Sequence, residues 1–187
     1  MKSLITLMAL LLSVCVPIAA QTPVQLTPEE QALMEAAYTG NLGEVRRLVL
    51  DGTPVDPIDP ERRTPMMFAA FNGHAPVVEY LLDAGAEIDA KDSNGRTALM
   101  YASSGPFEET VKLLLTHGAE VDVQGTLEGF TALMTAAAEG QVEVVRQLLD
   151  HGADRSLEDT DGDTALSFAR QNGHTEVVEL LENPPAR

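Results

Sequence analysis

Cysteine and tryptophan are nearly absent from this chain of 187 residues, which has one cysteine and no tryptophan. The cysteine, Cys15, lies in a segment that we expect to be removed, so the remaining chain can form no disulfide even in an oxidising compartment. The same shortage excludes a cysteine nucleophile and a thiolate metal site. Since 44% of the residues are hydrophobic, the chain can still fold as one compact domain.

Positive charge is also scarce, because 12 Lys and Arg stand against 29 Asp and Glu, which gives a net charge of −17 at pH 7. An anionic field of this strength repels nucleic acid and anionic lipid, so neither is expected as a partner. The charge can serve solubility alone, or it can attract a basic protein.

Residues 1–20 predict a secretory signal peptide. Lys2 precedes an apolar run at residues 4–16, and the helix-breaking Pro17 and a small-residue ending at Ala20 follow it. The chain also lacks an N-glycosylation sequon. Together with the missing disulfides, these features favour the bacterial periplasm, and secretion is an alternative.

Two other interpretations of this segment stay open. An uncleaved membrane anchor would use residues 4–20, whose length of 17 is at the lower limit for a spanning helix. A lipoprotein signal would carry the lipid on Cys15, although the bulky Val14 precedes it. If the signal is cleaved, no stable membrane insertion is expected.

An internal repeat of about 33 residues dominates the rest of the sequence. The tetrapeptide Thr-Ala-Leu-Met occurs at residues 97–100 and 131–134, and its threonine recurs at spacings of 33, 34 and 33 residues. An alanine recurs in step with it. The threonines are Thr64, Thr97, Thr131 and Thr164, and the alanines are Ala36, Ala69, Ala102, Ala136 and Ala169.

The aligned copies share the pattern G-x-T-A/P-L-x-x-A-A-x-x-G-H-x-x-V-V-x-L-L-L-x-x-G-A-x-x-D, as in NGRTALMYASSGPFEETVKLLLTHGAEVD. This pattern closely resembles the ankyrin repeat. The resemblance implies an all-α ankyrin-repeat solenoid of about five helix-turn-helix repeats with short β-hairpin connections. The expected units are a leader with an N-terminal cap at 21–29 and a repeat domain at 30–187, with repeats at about 30–58, 59–91, 92–124, 125–158 and 159–187.

The main positions of the motif have physical reasons. Thr64 followed by Pro65 fits a helix N-cap followed by the first helical position, and Thr27 with Glu30 fits a capping box. Glycines such as Gly85 fit the left-handed residue that ends the second helix. Because each repeat buries its apolar face only against its neighbours, no repeat is expected to fold alone.

Ankyrin repeats commonly have a histidine at the fourth place of their TPLH motif, and here methionine or serine replaces it. We expect these methionines to pack where the histidines of the family tie neighbouring loops together. The replacing residues are Met67, Met100, Met134 and Ser167.

No motif requires an enzyme, a cofactor or a metal. The four histidines form two pairs of equivalent repeat positions, His74 with His174 and His117 with His151, at turns and helix ends, where structural roles are expected. Residues 159–163 begin like a calcium loop, but the glycine is fourth instead of sixth and Arg170 replaces the required glutamate. A hairpin turn explains them better. Neither a serine-hydrolase context nor a phosphate-binding loop is found.

The resemblance also implies where a partner would dock, because ankyrin proteins bind on a concave face formed by hairpin tips and first helices. Arginine and aromatic residues supply many binding hot spots. The candidate partner-binding residues on that face are Tyr38, Arg62, Arg63, Phe71, Arg96, Phe130 and Asp163. Three further aromatic residues, Phe68, Tyr101 and Phe168, are expected to fill gaps between helices.

Two irregularities lie beside this face. The third copy has Pro106 and Phe107 where other copies have glycine and histidine. The hairpin at residues 124–130 has one residue more than the one before it and lacks its aspartate. The longer hairpin is a candidate partner contact, or a tolerated insertion.

The sequence therefore predicts a monomeric, non-catalytic scaffold that binds a protein partner of unknown identity. Some exported bacterial ankyrin proteins are associated with stress defence or with holding a neighbouring enzyme, and the resemblance implies such a link here. The alternative is an acidic inhibitor or immunity protein that caps a basic toxin or enzyme.

Overall fold

A computed structural model describes residues 25–183, so the predicted signal peptide lies outside the described residues. Within this range ten α-helices follow one another along the chain, two in each repeat. Their bounds are α1 Pro28–Thr39, α2 Leu42–Leu50, α3 Pro65–Phe71, α4 Ala75–Asp83, α5 Ala98–Ala102, α6 Glu108–Thr116, α7 Ala132–Ala138, α8 Val142–Asp150, α9 Ala165–Gln171 and α10 Thr175–Glu182.

The helices stack in two layers. The first helices of the repeats (α1, α3, α5, α7, α9) each contact the first helix of the next repeat, and the second helices do the same. The recurring alanine of the first helices is at most 4% exposed in every repeat, which lets these helices approach closely. Valines and leucines of the second helices, such as Val77 and Leu81, complete one continuous core. This confirms the predicted all-α solenoid of five helix pairs.

The threonine caps form in four of the five repeats. The hydroxyl oxygens of Thr27, Thr64, Thr131 and Thr164 each accept the N–H three residues later, and Thr27 with Glu30 forms the complete capping box. Thr97 has extended backbone angles but makes no such bond among the described residues. The two Thr-Ala-Leu-Met copies therefore differ, because Thr131 Oγ1 accepts the N–H of Met134 at 3.2 Å, whereas Thr97 Oγ1 accepts no capping bond within residues 25–183.

The connections between repeats are turns, and none of them contains a strand between residues 25 and 183. In the first hairpin the N–H of Asp59 donates to the carbonyl of Arg63, and the carboxylate of Asp59 accepts the N–H of Arg63 at 2.7 Å. The hairpins beginning at Asp92 and Asp159 are closed in the same way. The predicted hairpins are thus present as closed turns.

Successive hairpin tips are joined by one backbone hydrogen bond each. The donors are the N–H groups of Ser93, Thr126 and Thr160, and the acceptors are the carbonyls of Glu61, Asn94 and Glu128 respectively. The three methionines that replace the family histidine are buried, as expected: Met67, Met100 and Met134. Backbone bonds therefore tie the loops while the methionines pack beneath them.

The turn inside the second repeat packs on the first repeat. Asn72 Nδ2 donates to the carbonyl of Tyr38 at 2.9 Å, and His74 Nε2 lies 3.0 Å from the same oxygen. The His74 ring also covers Gly40, where a Cβ atom would overlap it. This contact gives His74 the structural role that the sequence predicts.

Other repeats use this contact in different forms. Asn172 and His174 bind the carbonyl of Ala138, and His174 covers Gly140 in the same way as the equivalent pair in the second repeat. In the third repeat the Phe107 ring replaces the imidazole and covers the glycine turn of the second repeat. The substitution noticed in the sequence therefore exchanges a polar contact between repeats for an apolar one.

Candidate partner-binding site

Two adjoining cavities open between the hairpins and the first helices. Their volumes are about 300 Å³ and about 220 Å³, and both are lined by Phe71, Arg96 and Tyr101. We call their joint lining the aromatic groove. Its residues are Tyr38, Arg63, Met67, Phe68, Phe71, Arg96, Met100, Tyr101, Ser104, Phe130 and Thr135.

Pairs of aromatic rings from neighbouring repeats build the walls of the groove. Each pair is T-shaped, with centroid distances of 6.2, 6.1 and 5.1 Å for Tyr38–Phe68, Phe71–Tyr101 and Phe130–Phe168 respectively. Tyr38 and Phe71 are each 46% exposed, whereas the rings that support them are half-buried. The groove therefore offers two ring surfaces that are held in place by neighbouring repeats.

Arg63 is already paired within its own hairpin. Its Nε donates to Asp59 Oδ2 at 2.7 Å, and its Nη2 lies 3.2 Å from Glu61 Oε2. The hydrogen bond to Asp59 is the main reason that the pKa of Arg63 is raised. The guanidinium also stacks 4.9 Å from the centroid of the Phe68 ring, so it closes one end of the groove as a packed side chain.

Arg96 is held much more loosely. Its Nη2 lies 3.5 Å from Glu128 Oε2, and the two side chains are 44% and 59% exposed. No other ion-pair partner of Arg96 occurs in the described part of the chain. Because a guanidinium has five N–H donors, most of those on Arg96 can still be used by a ligand.

Tyr101 fixes the floor of the groove next to Arg96. Its hydroxyl donates to Asp92 Oδ2 at 2.7 Å, and Asp92 Oδ1 accepts the backbone N–H of Arg96 at 2.8 Å. Burial, followed by the hydrogen bond to Asp92, raises the pKa of Tyr101 to about 12. The neutral phenol thus links the hairpin to the first helix and sets the position of Arg96.

The groove brings together five of the seven residues predicted from the sequence. They are Tyr38, Arg63, Phe71, Arg96 and Phe130. Arg62 does not line it but lies exposed at a hairpin tip, with a φ of 62°. Asp163 does not line it either, and its carboxylate accepts a hydrogen bond from Gln171 at 3.2 Å. The structure thus gives the positions of the seven residues, and their role in binding stays a prediction.

Two aromatic residues of the groove were expected only to fill gaps. Phe68 and Tyr101 are half-buried and pack between helices, as predicted, but they also line the cavity. The available signal was spacing, since residues three apart in a helix share a face, and Phe68 precedes the candidate Phe71 by three.

A family model described as ankyrin repeats, in three copies, matches residues 7–92, 33–124 and 107–186. The chain belongs to the ankyrin-repeat family. Ankyrin repeats generally act as protein-interaction modules, and the family is typically non-catalytic. No match was found among the curated proteins that were compared with the chain.

The irregular hairpin of this ankyrin domain contributes Phe130 to the lining of the groove. Gln124 Nε2 donates to the carbonyls of Gly129 and Glu158 at 3.0 and 2.9 Å, which supports the longer loop. Leu127 at the tip is 68% exposed, and Phe130 at the end of the loop lines the groove. Leu127 was missed in the sequence, although an apolar residue at a hairpin tip was a visible signal.

The segment that begins like a calcium loop, and the histidines at the ends of second helices, make hydrogen bonds within their own repeats. Asp159 Oδ1 accepts the N–H groups of Asp161 and Asp163, so residues 159–163 form the hairpin turn that was expected. His117 Nδ1 and His151 Nδ1 lie within 2.9 Å of the Leu113 and Gln147 carbonyls of their own helices.

Residues 25–183 contain neither a metal-binding cluster of side chains nor a helix that could span a membrane. No cluster of three or more His, Cys, Asp or Glu side chains is placed so that it could hold a metal ion. None of the helices in this range has the length and apolar character needed to cross a membrane.

Proposed function

We propose that this ankyrin domain is a monomeric, non-catalytic scaffold that captures a partner protein through the aromatic groove, in the bacterial periplasm. The observation that carries the proposal is the cluster of two exposed rings, Tyr38 and Phe71, beside the loosely held Arg96. Aromatic and arginine side chains dominate the hot spots of protein interfaces. The rings are also preorganised, which lowers the entropic cost of binding.

The test is capture of the partner by crosslinking in living cells. A photo-crosslinking side chain at position 71 should yield a discrete crosslinked product, and one at position 50 on the second-helix face should not. The Phe71→Ala, Arg96→Ala double variant should lose partner capture while keeping its helical circular dichroism. Phe71 suits this test better than Phe130, because its ring is 46% exposed, whereas Phe130 is half-buried and packs 5.1 Å from Phe168, so that its truncation would also loosen the fold.

A matched control is available on the opposite layer. Leu50 is 81% exposed on α2, and Arg146 on α8 pairs with Glu143 at 3.3 Å. The Leu50→Ala, Arg146→Ala variant likewise removes one exposed large apolar side chain and one arginine, and capture should persist. Equal capture by both double variants would exclude the groove as the docking face.

The proposed compartment rests on residues 1–20. We expect export with cleavage after Ala20. The mass of the protein recovered from periplasmic extract will show where the chain is cleaved. A mature protein that retains residues 1–20 in the membrane fraction would indicate an anchor instead, and a lipid adduct on Cys15 would indicate a lipoprotein.

The acidic-inhibitor alternative is favoured by one observation, the net charge of −17. Long-range attraction is screened by salt, because the Debye length falls to about 3 Å at 1 M. Capture through the groove should survive about 0.5 M salt, whereas capture of a basic toxin by surface charge should be lost. The proposed link to stress defence has a separate test, since a deletion strain should be more sensitive to hydrogen peroxide.

A further inference from the structure

The charges that line the aromatic groove run against those of the chain as a whole. Acidic residues outnumber basic ones by 29 to 12. Among the residues that the structure describes, the lining of the two cavities nevertheless contains two arginines and no aspartate or glutamate. A ligand inside the groove therefore meets donors and ring faces instead of carboxylates.

Acidic groups close to the groove are already bound. Asp59 and Asp92 are each 6% exposed, and both accept hydrogen bonds from their own hairpins. Glu61 forms an ion pair with Arg63. Glu128 lies on the rim of the groove, with its Oε2 at 3.5 Å from Nη2 of Arg96. A lysine or arginine of a partner would thus face two guanidinium groups in the groove, whereas Glu61 and Glu128, which lie outside its lining, each already contact one of those arginines.

The neighbouring cavity has the opposite character. It lies towards the N-terminal end of the array, has a volume of about 350 Å³, and is lined by Glu35 and Asp59 together with Tyr38 and Phe68. The transition from acidic to basic lining therefore runs from Tyr38 to Arg96. This gives the groove a polarity that a bound segment has to match.

We propose that the groove takes a partner segment in which a carboxylate lies next to an aromatic or large aliphatic side chain. The apolar side chain would lie between Tyr38 and Phe71, in a cavity of about 300 Å³, and the carboxylate would accept hydrogen bonds from Arg96. Arginine binds carboxylates in a bidentate geometry, and Arg96 can exchange its long contact with Glu128 for such a pair. This inference rests on the proposed function of the groove as a docking face and specifies the chemistry of its ligand.

Basic residues on either side of this partner segment would be attracted by the negative electrostatic potential of the whole protein. The acidic surface outside the groove would attract those residues and accelerate the encounter, while the groove selects the acidic anchor. A purely basic partner gains only the first of these effects.

The test uses three synthetic tetrapeptides that are blocked at both ends. They contain Ser-Phe-Glu-Ser, its Gln counterpart and its Lys counterpart, and each is titrated into the whole soluble protein while backbone amide NMR shifts are recorded. The Glu peptide should shift amides around Phe71 and Arg96 and bind about fivefold more tightly than the Gln peptide, as expected for one exposed ion pair. The Lys peptide should bind most weakly.

Protein variants separate charge recognition from docking. Arg96→Gln should make the Glu and Gln peptides bind equally, whereas Arg62→Gln, outside the groove, should preserve their difference. Equal binding of both peptides to the unaltered protein would overturn the inference, as would an absence of shifts with all three. The proposed function fails by a different result, namely cellular crosslinks that arise at position 50 and not at position 71.

Discussion

Thr110 is a buried hydroxyl that we expect to destabilise this protein. It lies on α6 with no exposed surface, and its Oγ1 has no hydrogen-bond partner among the described residues. The equivalent residues of three other repeats are valines, Val77, Val144 and Val177, each at most 1% exposed. A methyl group therefore fits this position in the same helix-pair environment.

The expected gain from Thr110→Val follows from these contacts. A buried polar group without a partner costs about 1–3 kcal/mol, and valine and threonine have similar helix propensities. Because the new methyl adds apolar burial, the free energy of unfolding should rise by about 1–2 kcal/mol. For a domain of this size that corresponds to about 3–6 °C in Tm.

Urea unfolding followed by circular dichroism measures the effect, with a higher midpoint at an unchanged slope as the expected result. Thr135→Val is the matched control, because it removes a hydroxyl that donates to the Thr131 carbonyl at 3.0 Å and should give no gain. A Thr110→Val protein with an unchanged or lower midpoint would refute the reasoning and would mean that the hydroxyl is satisfied in solution.

Three further predictions concern caps, turns and pH. Thr131→Ala should cost about 1 kcal/mol more than Thr97→Ala in urea unfolding, because only Thr131 accepts a capping bond; equal losses would contradict this. Gly73→Ala should be more destabilising than Gly85→Ala by about 1–3 kcal/mol, since both have positive φ but only at position 73 would the Cβ overlap a neighbouring ring; matching thermal shifts would show that the turn relaxes. Tyr101 is held neutral in the folded protein, so its contribution to stability is complete below pH 10 and is lost as the pH rises towards its pKa of about 12. Tyr101→Phe should weaken the fall in Tm over that range, and identical pH profiles would argue against the assigned environment.

Much of the fold could be predicted because the signals are local and recur. The spacing of the threonines fixed the first helices, and the small residues such as Ala69 fixed the contact between them. The failure of Thr97 to cap could not be foreseen, because it depends on angles and distances that an identical tetrapeptide does not reveal. The same limit applies to the connections between repeats, which within residues 25–183 are closed turns without strands, because strand pairing depends on backbone geometry.

The candidate site could be predicted in part. Repeat position placed Tyr38, Phe71 and Arg96 on one face, but it could not show that Arg63 is occupied by Asp59 while Arg96 is nearly unpaired. That difference arises from side-chain rotamers. The supporting role of Tyr101 was equally hidden, since it depends on a hydrogen bond to the preceding hairpin.

The turn contacts between repeats determine which repeats recombination or engineering could exchange. The first and fourth repeats present the same docking surface, a glycine that receives the imidazole of the following repeat, as in Gly40 under His74 and Gly140 under His174. In the second repeat the ring of Phe107 covers the equivalent glycine, Gly73, so the contact with the following repeat is made by a phenylalanine instead of an imidazole. We expect a first repeat transplanted in front of the fifth to join well, because its Gly40 and the imidazole of His174 would still meet, whereas a third repeat placed after the first would bring phenylalanine against a carbonyl that has lost its polar partners. The repeats of this array are therefore interchangeable only where the turn contacts between neighbouring repeats match.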